Sequence, residues 1–374
     1  MILNAISRPS VYLCVAAGAI VCRFVLGCIG AAFFPGCLVF LSRWYTREEM
    51  QLRVTNINAG NLAAQAFGGL IAARILGDMD GAQGIAAWRW LFIQPWLTPS
   101  CPNWPATTRW LSEQERTIAQ ARLAKDIGVA DDDEPMSAFQ GFKLAVTDPK
   151  VWFLAATYFL TIMGLSFSFF FPTIIAALGY GTTKTLLLTA PPWIFAILVS
   201  LPNAWHADRT RERYLHYLWP AVACLVGYAI SIGTHEIGPR YFSTFFMTTG
   251  YASGFVVLAW ISNTIPRSPA KRAVAIGLIN ACGNIGSIPG TYIWRSIYGP
   301  YYAVPFWACF VVLAAAFVVA LGLRQYLVYM NKRLDREDIG AFELGERAVE
   351  HTAKLEKEDL EEAQEHVKSF RYLS

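Results

Sequence analysis

An all-α, polytopic membrane protein is the fold class this sequence predicts, and three observations predict it. Long apolar runs alternate with short charged clusters along the 374 residues. Only 16% of the residues are charged, against about a quarter in a soluble globular domain. Basic residues also concentrate in every second loop. Mean hydropathy is +0.37 and 14% of the residues are aromatic, as suits amphipathic rings placed at a membrane interface.

A membrane span needs roughly 20 mainly apolar residues. The segments that qualify are 18–41, 54–76, 151–175, 185–205, 217–234, 241–262, 273–294 and 303–328. Lipid offers backbone groups no hydrogen-bond partner, so these segments are expected to be helical. They are too long, and alternate too little, for the strands of an outer-membrane barrel.

Between the second and third spans, 95–150 reads as a cytoplasmic linker. It holds a surface helix that Ser112 caps, with Glu115 three residues later completing a capping box. The run ADDDEP then interrupts it with like charge and proline. The chain therefore divides into a partial N-terminal transmembrane bundle (1–94), the linker (95–150), a six-helix bundle (151–328) and a cytoplasmic tail (329–374). The tail is highly charged and reads as a solvated, partly helical segment.

The proposed inside loops hold Arg43, Arg47 and Arg53, then Arg209, Arg211 and Arg213, then Arg267, Lys271 and Arg272. Arg324, Lys332, Arg333 and Arg336 follow the last span. The opposite loops of the second half hold only Lys184, Arg240 and Arg295. Seven of the eight cysteines lie in apolar segments without metal-ligand spacing, so buried thiols are expected, not a zinc site or a disulfide framework. No cofactor and no nucleic-acid partner is indicated.

Polar residues inside spans are costly and mark candidate sites. Arg23 has apolar neighbours on both sides and needs a partner. A substrate carboxylate is one, and neighbouring backbone or the interface is another. Asn58, Asn61 and Gln65 recur at i, i+3 and i+7, on one helix face. That stripe lines a wet cavity or joins helices. Asn280 and Asn284 share a face in a helix interrupted by glycines and Pro289, a pattern that points to a transport site or to a kinked packing helix. Thr161, Ser166 and Ser168 are weaker candidates, because hydroxyls bond back to their own helix. Trp193, Tyr251 and Trp260 are placed to stack on a planar substrate or simply to pack.

Enzyme signatures are weak. The sequence has no G-x-x-x-x-G-K-[ST], no H-E-x-x-H and no G-x-S-x-G. His206 and Asp208 sit together in a basic loop, but no nucleophile accompanies them. A non-enzyme is expected.

The stretches RFVLGCIGAAFFPGCLVFLSRWYTREEMQLR, FGGLIAARILGDMDGAQGIAAWRWLFI, PATTRWLSEQER, HADRTRERYLH and AWISNTIPRSPAKRAVAIGLINACGNIGSIPGTYIW resemble the major facilitator superfamily. Within it they resemble the fungal anion:cation symporters of the allantoate, nicotinate and pantothenate permease type. The resemblance implies two six-helix bundles, alternating access, a small organic anion as substrate, proton coupling and a plasma-membrane location. It also implies that Arg23 corresponds to the arginine early in the fourth helix. Asp208 and Arg209 correspond to the loop between helices eight and nine, with a gating role on the cytoplasmic side.

The departures carry expectations of their own. Gly30 stands where the family pattern has glutamate. The first two helices and most of the third have no counterpart here, and QPWLTPSCPNW, with its three prolines, is too short to replace the sixth. The N-terminal half is therefore expected to be incomplete. The alternative to a working transporter is a truncated product that does not transport.

Overall fold

The computed structural model describes residues 33–45, 49–78, 138–265 and 269–352, together with Phe24, Val25, Gly27, Cys28 and Gly30. Arg23, the expected surface helix capped by Ser112, and the last residues of the tail lie outside the described residues.

The described residues are helical, with no strand among them. In chain order the helices are α1 (Phe33–Trp44), α2 (Met50–Asp78), α3 (Ala138–Val146), α4 (Pro149–Gly164), α5 (Phe171–Ala176), α6 (Thr182–Thr210), α7 (Tyr214–Gly233), α8 (Ile237–Thr264), α9 (Pro269–Ile285), α10 (Ser287–Ile293) and α11 (Ala303–Thr352). Among the described residues six segments are long and apolar enough to cross a membrane: Pro149–Ala176, Thr182–Thr210, Tyr214–Gly233, Ile237–Thr264, Ala270–Ile293 and Ala303–Arg333. They correspond one for one with the last six spans expected from sequence.

The first half differs. The expected 54–76 span lies within α2, whose 29 residues give about 43 Å of helix, ample to span. It falls short in hydropathy, because asparagines and a glutamine interrupt its apolar run. Of the expected 18–41 span, Phe24, Val25, Gly27, Cys28 and Gly30 are helical, and α1 begins at Phe33. At the other end α11 is continuous for 50 residues, so no break separates the last span from the tail.

Two spans are broken at their middles. After α4 the chain tightens into a 3₁₀ turn, Ser166–Phe170, before α5 resumes. The Tyr228 hydroxyl donates to the Gly164 carbonyl at 2.6 Å and satisfies an acceptor that the break exposes. Pro172, which lacks an N–H, starts the next turn. Likewise Gly286 separates α9 from α10. A methyl group there would stand 2.5 Å from the Phe159 carbonyl oxygen, and one at Gly290 2.7 Å from Ser166 Cβ. Glycine is what lets the broken span lie directly on α4.

α8 is the most enclosed span, with 83% of its apolar stretch buried. Several of its hydroxyls are satisfied within the helix. Ser243, Thr244, Thr249 and Ser253 donate to the carbonyls three residues back, at 2.6–2.7 Å. Outward faces of the bundle carry exposed Leu198, Val222, Val311 and Val318, a surface suited to lipid.

Polar contacts gather the basic segments at one end. Asp148 caps α4 by accepting from the Lys150 backbone N–H at 3.0 Å, and it pairs with Lys271 Nζ at 2.7 Å. Arg272 donates to the Ile265 carbonyl and to Ser42 at the end of α1. Arg324 lies 4.9 Å over the Tyr214 ring. At the opposite end, buried Arg240 donates to the Tyr301 carbonyl at 3.0 Å.

Candidate functional site

α2 and the broken span α9–α10 bring the polar stripes together. The i, i+3, i+7 spacing on α2 presents Asn58, Asn61 and Gln65 to a cavity of about 670 Å³, and α9 presents Asn280 and Asn284 to the same space. Cavities of about 300–1,000 Å³ are typical of small-molecule sites. The remaining walls come from several elements. Tyr158 and Ile162 project from α4, Ser168 and Phe169 from the 3₁₀ turn, and Tyr251, Gly254 and Phe255 from α8. Gly27 and Gly30 complete it on the side preceding α1.

Five carboxamides thus face one cavity, and no charged side chain accompanies them among the described lining residues. Asn58 and Asn284 are held by their own helices, each amide nitrogen donating at 2.8 Å to the carbonyl four residues back. Ser287 adds a bond to the Asn284 carbonyl at 2.6 Å. Gly27, Gly30 and Gly254 leave open space where a side chain would stand.

Trp193 takes another place. It is only 2% exposed and stands behind the lining aromatic, 5.2 Å from Tyr251 and 5.3 Å from Phe171 between ring centroids. Its ring is also stacked on Phe167. The indole supports the cavity wall and does not form it. Trp260 is fully buried in the core. Arg23 lies outside the described residues, so the structure describes no partner for it.

Asp208 and Arg209 sit at the end of α6, away from the cavity lining. The Asp208 carboxylate accepts from the backbone N–H groups of Gln51 and Leu52 at the start of α2, and Arg213 Nη1 approaches it at 2.9 Å. Arg209 lies 5.6 Å over the Trp205 ring. His206 does not pair with Asp208. Its Nδ1 is 2.7 Å from His216 Nε2, so the two residues do not form a catalytic dyad.

Sequence reasoning had no signal for Tyr158 as a lining residue, because one tyrosine in an apolar helix has no distinguishing pattern. Gly254 was equally silent. The partners of Asp208 at the start of α2, more than 150 residues away in the chain, were also beyond reach.

The sequence profile of the Major Facilitator Superfamily matches residues 1–291. MFS transporter prlL of Fungal sp. (strain NRRL 50135) is 33% identical over 338 residues, covering 86% of this chain and 67% of the relative. MFS-type transporter cnsO of Penicillium expansum is 33% identical over 319 residues, covering 78% of this chain and 60% of the relative. An Agrobacterium vitis protein named "Putative tartrate transporter" is 28% identical over 279 residues, covering 72% of this chain and 60% of the relative. The chain spans between 60% and 67% of the length of these relatives. It belongs to the major facilitator superfamily, an integral, multi-pass membrane protein whose relatives are named as transporters.

Proposed function

We propose that this member of the major facilitator superfamily is a secondary active transporter of a small organic anion, coupled to a proton, and that the five-amide cavity is its substrate site. The observation that carries the proposal is the convergence of Asn58, Asn61 and Gln65 from α2 with Asn280 and Asn284 from α9 on one cavity. Amide N–H groups are donors for a carboxylate, and an open cavity between helices is where a solute is held in alternating access. Arg23 is the proposed ionic partner of the carboxylate, because a guanidinium matches a carboxylate bidentately. The anion reading draws on the resemblance to anion symporters and on the Agrobacterium vitis relative, whose name carries tartrate.

Asp208 and Arg209 are the proposed gate. Asp208 ties the end of α6 to the start of α2, and a contact that joins two spans at one end has to be made and broken if that end opens and closes. The plasma membrane is the proposed location.

Uptake of labelled carboxylates into cells expressing the chain tests the reading. Saturable uptake that rises with an inward proton gradient, and falls in Asn61→Ala and Gln65→Ala, is the expected result. Surface expression without uptake of any carboxylate overturns it.

A further inference from the structure

Two of the five cavity amides are fixed in orientation. Asn58 Nδ2 lies 2.8 Å from the Val54 carbonyl oxygen, and Asn284 Nδ2 lies 2.8 Å from that of Asn280. A backbone carbonyl only accepts hydrogen bonds, so the side-chain atom facing it has to be the amide nitrogen. The usual interchangeability of the two ends of an asparagine is removed at both positions.

The other end of each side chain, Oδ1, is consequently held off its own helix. Neither oxygen has a hydrogen-bond partner among the described residues, and neither is an enclosed orphan. Both residues line the cavity. The cavity therefore offers fixed acceptors from two separate helices, beside the amides of Asn61, Gln65 and Asn280, which are not tied in this way. An acceptor gains nothing from a carboxylate, since two oxygens with lone pairs repel. It needs an O–H or N–H donor, and a substrate that displaces water from it without supplying one leaves it unpaired at a cost.

We infer that Asn58 and Asn284 select for a substrate that carries hydroxyl or amide N–H donors beside its acid group, a hydroxy- or amido-acid in preference to a plain carboxylate. This rests on the transport site proposed above and narrows its substrate class. A site built to bond a hydroxyl rejects the analogue that lacks it far more sharply than an apolar pocket separates two hydrocarbons.

The test is binding of three four-carbon probes to the full chain purified into nanodiscs: malate, succinate and erythritol. Malate and succinate differ by one hydroxyl, and erythritol has hydroxyls but no acid. Malate is expected to bind roughly tenfold more tightly than succinate, the scale of one hydrogen bond. Asn58→Leu and Asn284→Leu are each expected to bring that ratio toward one, with malate affinity falling more than succinate affinity. Should a variant fail to fold, the ratio in the unmodified chain still decides.

Succinate binding as tightly as malate overturns the inference and leaves the anion reading standing. Erythritol binding without either acid supports the donor selection and removes the anion reading. Binding of neither hydroxylated probe overturns the inference, and succinate binding then tells whether the anion reading survives.

Discussion

The Asp208 carboxylate accepts a hydrogen bond from the Leu52 backbone N–H at 2.8 Å, across 156 residues of chain. A second bond, from Gln51 N–H at 3.2 Å, makes Asp208 a long-range cap for α2. The first N–H groups of a helix have no partner within it, and the helix dipole favours a negative charge there. The guanidinium of Arg213, fully buried and 2.9 Å away, adds an ion pair to the same carboxylate.

Asp208→Ala is expected to lower stability by about 3 kcal/mol, because it leaves the buried Arg213 charge without its carboxylate and the α2 start without its cap. Thermal unfolding of the purified protein in detergent measures the change. Asp208→Asn keeps the shape of the cap and loses the charge, so its loss is smaller. The double variant Asp208→Ala with Arg213→Leu is expected to regain part of what the single variant loses. A melting temperature unmoved by Asp208→Ala would show that the cap contributes nothing.

Gly283 should behave as a packing glycine. A methyl group at that position would overlap the Tyr158 ring, and Tyr158 itself lines the cavity. Gly283→Ala is expected to cost about 1–3 kcal/mol, the range for overpacking a filled interior. Substrate binding should fall with it as the Tyr158 ring is displaced. Trimming the ring in the same chain, with Tyr158→Ala, should recover stability without recovering binding.

Gly254 should behave in the opposite way. A methyl group there meets open space within 4 Å, and the residue lines the same cavity. Gly254→Ala is expected to be neutral or to stabilise by up to ~1 kcal/mol, the helix-propensity difference between the two residues. Gly254→Phe should keep the fold and fill the space, so binding is lost while the melting temperature holds. Equal melting losses at Gly254 and Gly283 would remove the distinction between cavity and packing glycines.

Span length and hydropathy made the second half legible, because each of its helices has to satisfy its backbone within lipid and so declares itself as an apolar run. α2 was less legible by composition, since the asparagines on its cavity face also dilute its hydropathy. Periodicity recovered what composition blurred there. The i, i+3, i+7 spacing of Asn58, Asn61 and Gln65 and the i, i+4 spacing of Asn280 and Asn284 put each set on one face, and the structure turns both faces to one cavity. What periodicity does not carry is depth. Tyr251 and Trp193 looked equivalent as candidate stacking aromatics, yet one lines the cavity and the other lies behind it. Nor does it carry partners distant in the chain, so Asp208 could be singled out while the α2 start that it caps could not.

Trp193 is where that difference in depth becomes measurable. A stacking residue at the cavity surface, replaced by alanine, would lose substrate affinity and keep its stability. An enclosed indole wedged among Phe167, Phe171 and Tyr251 has the reverse signature. Trp193→Ala is therefore expected to cost about 3–5 kcal/mol, the range for truncating a buried aromatic. Trp193→Phe, which retains most of the packing, should cost much less and leave binding close to that of the unmodified chain. Tyr251→Phe supplies the contrast, since it keeps the ring and removes a hydroxyl from a residue that lines the cavity. It should weaken binding more than it lowers the melting temperature. If Trp193→Phe abolishes binding while stability is unchanged, the indole contacts the substrate directly and its place behind Tyr251 does not describe the bound state.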